Sequence, residues 1–356
     1  MEGNVKQKIF FVVCFLALFC LTFGSVFAEP VTITDILGRE VTMEVPPALA
    51  VITGKKTSTI TEVPFMFEYG KGHVAVPSGG QDGGKFISFL ENPLPELKDA
   101  TVESVAAMKP DVIFLKSYTR EDAGIAYEET GIPVVYLSLE SIDDYHTDVM
   151  NVGKIFGEEK RAEEILAYYD DIVKRVTEKA SAIKEKKNVL LLQYSESNGA
   201  YSLKVAPAGW LQTTMVEMAG GEPVWKEIGL NANSWTDVSF EQIAAWDPDV
   251  ILVVNYFSDP KVSVEQLKNS TGWDQIRAVK ENQIFPFAKD TFSWDSSSPR
   301  WGLGLLWTFK TLYPESAEDI DIDAEMLKFY RWFGLSDESI QANLIDLFHA
   351  EPQLTK

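Results

Sequence analysis

Apolar residues along this chain form short continuous runs, separated by longer stretches with helical periodicity. The runs predict strands at residues 50–53, 74–77, 112–115 and 134–137 in the first half, and at 189–193, 250–254 and 283–287 in the second. Because these runs are continuous rather than alternating, they are typical of parallel strands in a sheet covered on both faces. The pattern therefore predicts an α/β protein.

One segment of this pattern occurs twice. Residues 103–115 read ESVAAMKPDVIFL, and residues 241–253 read EQIAAWDPDVILV. Each copy predicts a short helix, a turn at Pro-Asp and a buried strand. Chance similarity of two helix–turn–strand units is one explanation. A duplicated lobe explains in addition why the glutamate and the PDVI sequence recur at the same spacing.

A long helical pattern separates the two copies. Residues 158–186 contain no Gly or Pro, and their apolar residues recur at helical spacing. A helix of that length would span roughly 43 Å, enough to connect two domains. A coiled coil is the alternative, but the apolar stripe is short and is not repeated elsewhere.

Together these elements predict two Rossmann-like α/β lobes bridged by a single long α-helix. We expect an N-terminal lobe over residues 29–152, a connecting helical segment over 153–187 and a C-terminal lobe over 188–356, which ends in further helices at 324–349.

The first 28 residues have the character of a secretory signal peptide. Lys6 and Lys8 precede an apolar run at 9–23, and the small-residue pattern of a cleavage site ends at Ala28. A retained membrane anchor is the alternative. Cys14 and Cys20 are the only cysteines and lie in this segment, so the mature chain has no disulfide or cysteine nucleophile.

The charge of the chain excludes some partners. The formal net charge is −21, and removing the segment with Lys6, Lys8 and Glu2 leaves −22. Such an acidic protein is not expected to bind nucleic acid or anionic membrane surfaces. With 46% apolar residues, the chain has enough hydrophobic material to build folded cores.

Polar and aromatic side chains follow most of the predicted strands. Ligands of open α/β sheets bind beyond the carboxyl ends of the strands, and aromatic walls with a few polar anchors are typical of ligand clefts. The candidate ligand-binding residues are Lys55, Lys56, Thr57, Tyr118, Arg120, Tyr194, Tyr201, Tyr256, Trp294, Asp295 and Arg300.

The sequence SWDSSSPRW at residues 293–301 precedes an apolar helical run. We expect Ser298 to cap that helix, Pro299 to lie in its first turn, and Trp294 and Arg300 to face the cleft. Plain capping, with Asp295 and Arg300 as a structural ion pair, is the alternative interpretation.

Signals for catalysis are weak. The three histidines have no metal-binding spacing, and the chain has no GxSxG elbow or P-loop. A secreted hydrolase that uses a serine of the group 296–298 remains an alternative. We expect a binding protein with no catalytic residue, no cofactor and no metal site of its own.

At the level of motifs, residues 31–315 resemble the substrate-binding proteins of ABC importers for cobalamin, iron–siderophores and related metal complexes. The resemblance rests on TITDILGREVTM at 32–43, the two E-x-[VI]-A-A-x-x-P-D-V-I units, the long helix, AGG at 219–221 and SPR at 298–300. It implies a monomer, located in the periplasm or at the cell surface, that carries a small molecule between its lobes to a permease dimer.

The resemblance also implies roles for the two repeated glutamates. In that family one acidic residue on each lobe docks on permease arginines, and these positions correspond to Glu103 and Glu241. The alternative is a helix N-terminal Glu that complements the helix dipole. The implied ligand is an iron–siderophore, a corrinoid or haem, with an oxyanion such as molybdate or tungstate as the alternative.

Overall fold

The computed structural model describes residues 29–55, 57–77, 83–90, 97, 100–197 and 200–350. The predicted signal peptide and Lys56 lie outside the described residues. Within the described part, no helix is both long and apolar enough to span a bilayer.

The strands in chain order are β1 Glu29–Thr34, β2 Glu40–Val45, β3 Ala50–Ile52, β4 Val74–Ala75, β5 Val112–Lys116, β6 Val134–Leu137, β7 Asn188–Ser197, β8 Ala200–Val205, β9 Glu222–Pro223, β10 Thr236–Asp237, β11 Val250–Val254 and β12 Ile284–Pro286.

The α-helices are α1 Gly83–Ile87, α2 Val102–Ala107, α3 Ile125–Glu128, α4 Ile142–Phe156, α5 Glu159–Ser181, α6 Leu211–Met218, α7 Lys226–Gly229, α8 Phe240–Trp246, α9 Pro260–Lys268, α10 Arg277–Lys280, α11 Trp301–Leu312, α12 Ile322–Tyr330, α13 Asp337–Ile340 and α14 Asp346–His349. Short 3₁₀ turns occur at Thr57–Thr59, Val63–Met66, Ser117–Thr119, Trp273–Gln275, Pro314–Ala317 and Arg331–Phe333, and π turns at Arg120–Gly124 and Gln341–Ile345.

The N-terminal lobe is built on a parallel sheet with the strand order β4-β3-β5-β6. Strands β3, β5 and β6 are buried at every position, as their continuous apolar runs predict. The antiparallel hairpin β1–β2, which the sequence analysis did not identify, lies outside this sheet. The predicted α/β class is therefore confirmed for this lobe.

The C-terminal lobe contains a mixed sheet with the strand order β10-β8-β7-β11-β12, in which β9 also pairs with β7. Strands β7, β11 and β12 are parallel, as expected, whereas β8 and β10 are antiparallel additions. Strand β7 extends to Ser197, beyond the predicted end at residue 193, because its last residues pair with β8.

The two repeated sequences adopt the same local structure. Helix α2 leads through Asp111 into β5, and helix α8 leads through Asp249 into β11. Asp111 exchanges hydrogen bonds with Leu49, the residue before β3, and Asp249 exchanges the same two bonds with Asn188 at the start of β7. The repeat thus sets the start of the neighbouring parallel strand in each lobe.

Helix α5 connects the lobes and is shorter than the sequence pattern predicts. The preceding helix α4 ends at Phe156 and is capped by Gly157, which has a left-handed φ of 69°. Helix α5 ends at Ser181, directly after its last buried side chain, Ala180, and of residues 182–186 only Ile183 is partly buried. The 23 residues of α5 span about 35 Å.

The segment after α11 contacts both lobes. The rings of Tyr330 and Phe333 pack on Phe86 of the N-terminal lobe, with centroids 5.6 and 4.8 Å away. Arg161 of α5 donates to the Trp332 carbonyl at 3.0 Å and lies over its ring. The C-terminal helices, which we assigned to the C-terminal lobe, therefore also hold the N-terminal lobe.

Candidate functional site

The cleft between the lobes lies where the carboxyl ends of the parallel strands of both sheets meet. Glu140, which follows β6, accepts a backbone hydrogen bond at 2.9 Å from Leu211 at the first position of α6. Arg300, after β12, pairs with Glu62 of the N-terminal lobe. These contacts bring the strand ends of the two lobes together, which is the location that open α/β sheets use for ligands.

On the N-terminal wall, a buried lysine lies beside an exposed tyrosine. The Lys116 ammonium is 2.7 Å from a carboxylate oxygen of Glu140, donates to the Ser138 carbonyl and lies 5.4 Å from the ring centre of Tyr118. Tyr118 is 47% exposed. The wall therefore presents an aromatic ring backed by an internally neutralised charge pair.

A cavity of about 480 Å³ adjoins this wall and is lined by Leu37, Arg39, Ser117, Tyr118, Arg120 and Glu121. Arg120, a predicted ligand contact, donates to both oxygens of Glu128 at 2.8 and 3.1 Å. Glu128 also binds Arg39 at 2.7 Å. The guanidinium of Arg120 is thus already neutralised by carboxylates, which weakens it as an anion-binding group.

On the C-terminal wall, Tyr256 and Ser293 both donate hydrogen bonds to Asp295, at 2.5 Å. Burial raises the pKa of the Asp295 carboxyl, and the bonds from Ser293 and Tyr256 oppose that rise. Gln212 lies beside this pair, and its buried Oε1 has no hydrogen-bond partner among the described residues. The structure thus brings the predicted residues Tyr256 and Asp295 together.

Aromatic rings extend the C-terminal wall. Trp235 packs edge to face between Trp210 and Tyr256, with centroid distances of 6.3 and 6.0 Å. Tyr194 is buried and stacks on Tyr201, which is 48% exposed, at 5.9 Å. Rigid rings of this kind offer contact area at a low cost in side-chain entropy.

The predicted residues after β3 differ in exposure. Lys55 is exposed. Thr57 is buried, and its carbonyl accepts hydrogen bonds from Ile60 and Thr61 within a tight turn. The backbone carbonyl of Thr57 thus closes this turn, and Lys55 is the cation that this strand end exposes among the described residues.

Trp294 does not face the cleft, contrary to expectation. Its side chain is fully buried, its Nε1 donates to Asp290 at 2.9 Å, and its ring stacks on Phe348 at 4.9 Å with an interplanar angle of 2°. The C-terminal helix α14, whose contact with this loop the sequence pattern did not reveal, supplies Phe348. Trp294 is therefore part of the hydrophobic core.

Arg300 is also fully buried rather than exposed to the cleft. It donates to Glu62, to Asp290 and Tyr330 at 2.9 Å each, and to Thr291 at 3.0 Å. The alternative of an ion pair with Asp295 is likewise wrong, because Asp290 and Glu62 take that place. Two carboxylates neutralise this guanidinium, so it is not available to a ligand.

The start of helix α11 differs from the prediction. The residue at its N-cap is Arg300, without a side-chain cap, and Trp301 is its first residue. The Ser298 hydroxyl is buried without a hydrogen-bond partner among the described residues, and Pro299 precedes the helix. The Pro299 carbonyl instead accepts a bond from Tyr169 of α5.

Sequence reasoning missed four residues of the cleft. Lys116 and Glu140 follow the same rule as the predicted contacts, because each lies at or just after the carboxyl end of a parallel strand, β5 and β6. Trp210 and Trp235 flank loops that lead to α6 and β10, and no strand-end rule would have found them.

Within the described residues, neither a cluster of three metal ligands nor a serine–histidine pair at residues 296–298 is present. No group of three or more His, Cys, Asp or Glu side chains among them is placed to hold a metal ion. The side chains of Ser296, Ser297 and Ser298 are buried. In the hydrogen bonds found within the described ranges, none of these serines is joined to a histidine, so a hydrolase site at this position has no geometric support.

The repeated glutamates occupy equivalent, exposed positions. Glu103 is the second residue of α2, behind the N-cap Thr101, and Glu241 is the second residue of α8, behind the N-cap Ser239. Neither glutamate forms an ion pair with another described residue. Both carboxylates are therefore free to meet an external partner.

Comparisons with known proteins agree with this architecture. A profile of the periplasmic binding protein family matches residues 93–291. The molybdate-binding protein MolA of Haemophilus influenzae is 26% identical over 357 residues, which cover 92% of this chain and 97% of MolA. The iron-uptake system-binding protein of Bacillus subtilis is 22% identical over 279 residues, which cover 73% of this chain and 82% of that protein.

Solved structures share the fold. A periplasmic solute-binding protein from Veillonella parvula superposes with a TM-score of 0.68 at 24% identity, covering 90% of this chain and 98% of that one. MolA bound to molybdate superposes with a TM-score of 0.70 at 22% identity, covering 86% and 98%. Since the family profile spans more than half of the sequence, this chain belongs to the periplasmic binding protein family.

Proposed function

We propose that this protein captures a metal-containing small molecule, such as an iron–siderophore, a corrinoid or haem, between its two lobes and delivers it to an ABC importer. The distribution of exposed aromatic rings carries the proposal. Among the described residues, the large aromatic side chains with substantial exposure are Tyr118, Tyr201 and Phe257. Tyr118 follows β5 and Tyr201 lies beside the end of β7, both at the proposed cleft, whereas Phe257 follows β11 and lines a second cavity.

Exposed aromatic rings favour an organic chelate over a bare ion. A ring left in contact with water gains free energy when a ligand with apolar surface covers it. A small oxyanion offers no such surface and instead requires hydrogen-bond donors and uncompensated cations. In the cleft described here, Lys116 is paired with Glu140, and Arg120 with Glu128.

A second cavity is the alternative ligand site. It has a volume of about 1140 Å³ and lies between β12, α9, α11 and the C-terminal helix. Its lining includes Phe257 but none of Lys116, Tyr118 or Glu140. The cleft is the better candidate, because both lobes contribute strand ends to it.

An oxyanion such as molybdate or tungstate is the second candidate ligand. The similarity to MolA over 92% of the chain favours it, and the exposed Lys55 offers one cation at the edge of the cleft. The neutralised arginines count against it, since a dianion would have to displace carboxylates from their partners.

The apolar segment at the N-terminus and the family membership support export across the cytoplasmic membrane, to the periplasm or the cell surface. Docking on a two-fold permease is supported by the matched exposure of Glu103 and Glu241, which present equivalent carboxylates from equivalent helices. We propose that the exported protein acts as a monomer without catalytic turnover.

Titration of the purified chain, without residues 1–28, tests the proposed function. Calorimetry would use cyanocobalamin, ferric siderophores, haemin, molybdate and tungstate. We expect a metal chelate to bind and to change the tryptophan fluorescence, because Trp210 and Trp235 border the cleft. No binding by any of these compounds, together with hydrolysis of ester substrates, would contradict the proposal and favour a hydrolase.

A further inference from the structure

We infer that Glu140 determines specificity by accepting a hydrogen bond from the ligand, so that the cleft selects neutral or cationic chelates with N–H or O–H donors over fully anionic chelates and bare oxyanions. The inference rests on the proposed function, because it concerns the ligand of the same cleft. It assigns a chemical class to that ligand on the basis of one carboxylate oxygen.

One oxygen of Glu140 is engaged and the other is not. Oε1 is 2.7 Å from the Lys116 ammonium, whereas Oε2 has no hydrogen-bond partner among the described residues. The side chain is 15% exposed, so the carboxylate is mostly withdrawn from water but still reachable from the cleft. A carboxylate oxygen in such a position gains most from a donor that a ligand supplies.

Glu140 lies between groups from both lobes. Its carbonyl bonds to Leu211 of the C-terminal lobe. Burial raises the pKa of the Tyr118 hydroxyl, and the charge of Glu140 raises it further. Burial and Asp295 raise the pKa of the Tyr256 hydroxyl, and Glu140 again adds to the rise. A ligand that touches Tyr118 and Tyr256 therefore meets this negative charge.

The loop that carries Glu140 is held in a fixed conformation. Leu139 is a buried non-glycine residue with a left-handed φ of 57°. Asp148 accepts hydrogen bonds from the backbone N–H groups of Ser138 and Leu139 at 2.6 and 2.9 Å. The Ser138 hydroxyl donates to Asp144 at 2.5 Å. Backbone strain that is held by so many contacts is typical of functional sites.

A purely structural role explains only half of this arrangement. The buried Lys116 requires one acceptor besides the Ser138 carbonyl, and Oε1 of Glu140 provides it. Pairing with Lys116 leaves Oε2 without a hydrogen-bond partner among the described residues, while the charge of Glu140 acts on the hydroxyls of Tyr118 and Tyr256, one from each lobe. The ligand-binding role accounts for both oxygens.

The substitution Glu140→Gln separates the two roles. A glutamine can still accept from Lys116 through its carbonyl oxygen, and it then presents an N–H donor where the wild type presents an acceptor. The matched control is Glu129→Gln, an exposed glutamate at the end of α3, before the amino end of β6, whereas Glu140 follows the carboxyl end of the same strand. Thermal unfolding of both variants would verify that each is folded.

Four probes differ in their donors and in their charge. Cyanocobalamin is neutral and carries amide N–H groups, ferrioxamine B carries a protonated amine, and ferric citrate and molybdate are anions. We expect the wild type to bind a donor-bearing probe most tightly. Glu140→Gln should weaken that binding by roughly 10- to 100-fold and leave the anionic probes unchanged or bound more tightly. Glu129→Gln should leave the affinities for the donor-bearing probes and for the anionic probes unchanged.

The outcomes distinguish this inference from the proposed function. The specificity role of Glu140 is wrong if ferric citrate or molybdate is the tightest ligand of the wild type. It is also wrong if Glu140→Gln binds the donor-bearing probes within twofold of the wild-type affinity. In both cases the binding function stands. If no probe and no other metal chelate binds, the proposed function fails and the inference fails with it. If Glu140→Gln does not fold, the affinities of the wild type decide whether Glu140 sets specificity. The donor-bearing probes must then bind more tightly than ferric citrate and molybdate.

Discussion

Arg300 of the C-terminal lobe donates a hydrogen bond to Glu62 of the N-terminal lobe, and neither side chain is exposed beyond 1%. Asp290, Tyr330 and Thr291 also accept hydrogen bonds from this guanidinium. The ion pair lies behind the cleft and joins the two lobes directly, in addition to helix α5. It should therefore limit how far the lobes can separate.

Replacing Arg300 with methionine should destabilise the fold but leave the ligand affinity of the folded protein unchanged. The variant leaves Glu62 and Asp290 buried without their cation. Breaking a buried pair in this way costs about 3–5 kcal/mol. Chemical unfolding measures the loss of stability, and calorimetry with any ligand identified measures affinity. A stable variant with weakened binding would mean that Arg300 reaches the ligand after all.

Glu62 should make stability depend on pH. Burial raises the pKa of its carboxyl from 4.5 to about 7, and Arg300 offsets only part of that rise. Because the folded state holds this proton more tightly than the unfolded state, the stabilisation is complete below about pH 4.5 and is lost as the pH rises through 7.

Comparison with Glu62→Gln isolates this contribution. Asp290 and Tyr330 also face Arg300 and remain in both proteins. The free energy of unfolding of the wild type, relative to the variant, should fall by about 2 kcal/mol between pH 5 and pH 8. Urea unfolding at several pH values measures the difference. A difference that stays constant over this range would show that Glu62 is ionised throughout.

The sequence predicted the parallel strands well because a buried strand imposes a continuous apolar run. Strands β6 and β11 coincide with the predicted segments 134–137 and 250–254. The antiparallel strands β8 and β10 were missed, because their half-exposed sequences carry no such run. The length of α5 was overestimated because the helical spacing of apolar residues continues to Ile183, whereas the helix ends at Ser181.

The site was harder to predict than the fold. Position at the strand ends predicted Tyr256 and Asp295 in one region, and the two side chains do form a hydrogen bond; the assignment of Tyr118 to the same cleft stays a prediction. It could not show that Trp294 stacks on Phe348, or that Arg300 pairs with a glutamate 238 residues away, because both contacts depend on how the C-terminal segment packs. Only tertiary contacts decide whether an aromatic or charged residue is core or surface.

Tyr118→Ala should weaken ligand binding with little change in stability. The ring is 47% exposed and borders the cleft, so its removal takes contact area from the ligand rather than from the core. Loss of such an aromatic anchor costs about 1–3 kcal/mol of binding free energy. Met108→Ala is the control, since Met108 is 38% exposed at the end of α2, on the side of the amino end of β5 and not of its carboxyl end. Equal affinities for both variants would remove Tyr118 from the site.

Glu103 and Glu241 should act in transport and not in ligand binding. They occupy the second position of α2 and of α8, which are equivalent helices in the two lobes. The Arg300–Glu62 pair and helix α5 should hold these lobes, and therefore the two carboxylates, at a nearly constant separation. Two fixed charges mainly orient docking on a complementary partner.

Reversal of both charges tests this role. The double variant Glu103→Arg with Glu241→Arg should abolish stimulation of the transporter's ATPase in proteoliposomes and leave the ligand dissociation constant unchanged. Reversal of Glu129 and Glu281 changes the charge equally, and both of these residues follow helices that lead to the amino ends of β6 and β12. That control should dock normally, because its new charges lie away from the permease. If the first variant instead loses its ligand but still stimulates ATP hydrolysis, the two glutamates belong to the binding site and not to the docking surface.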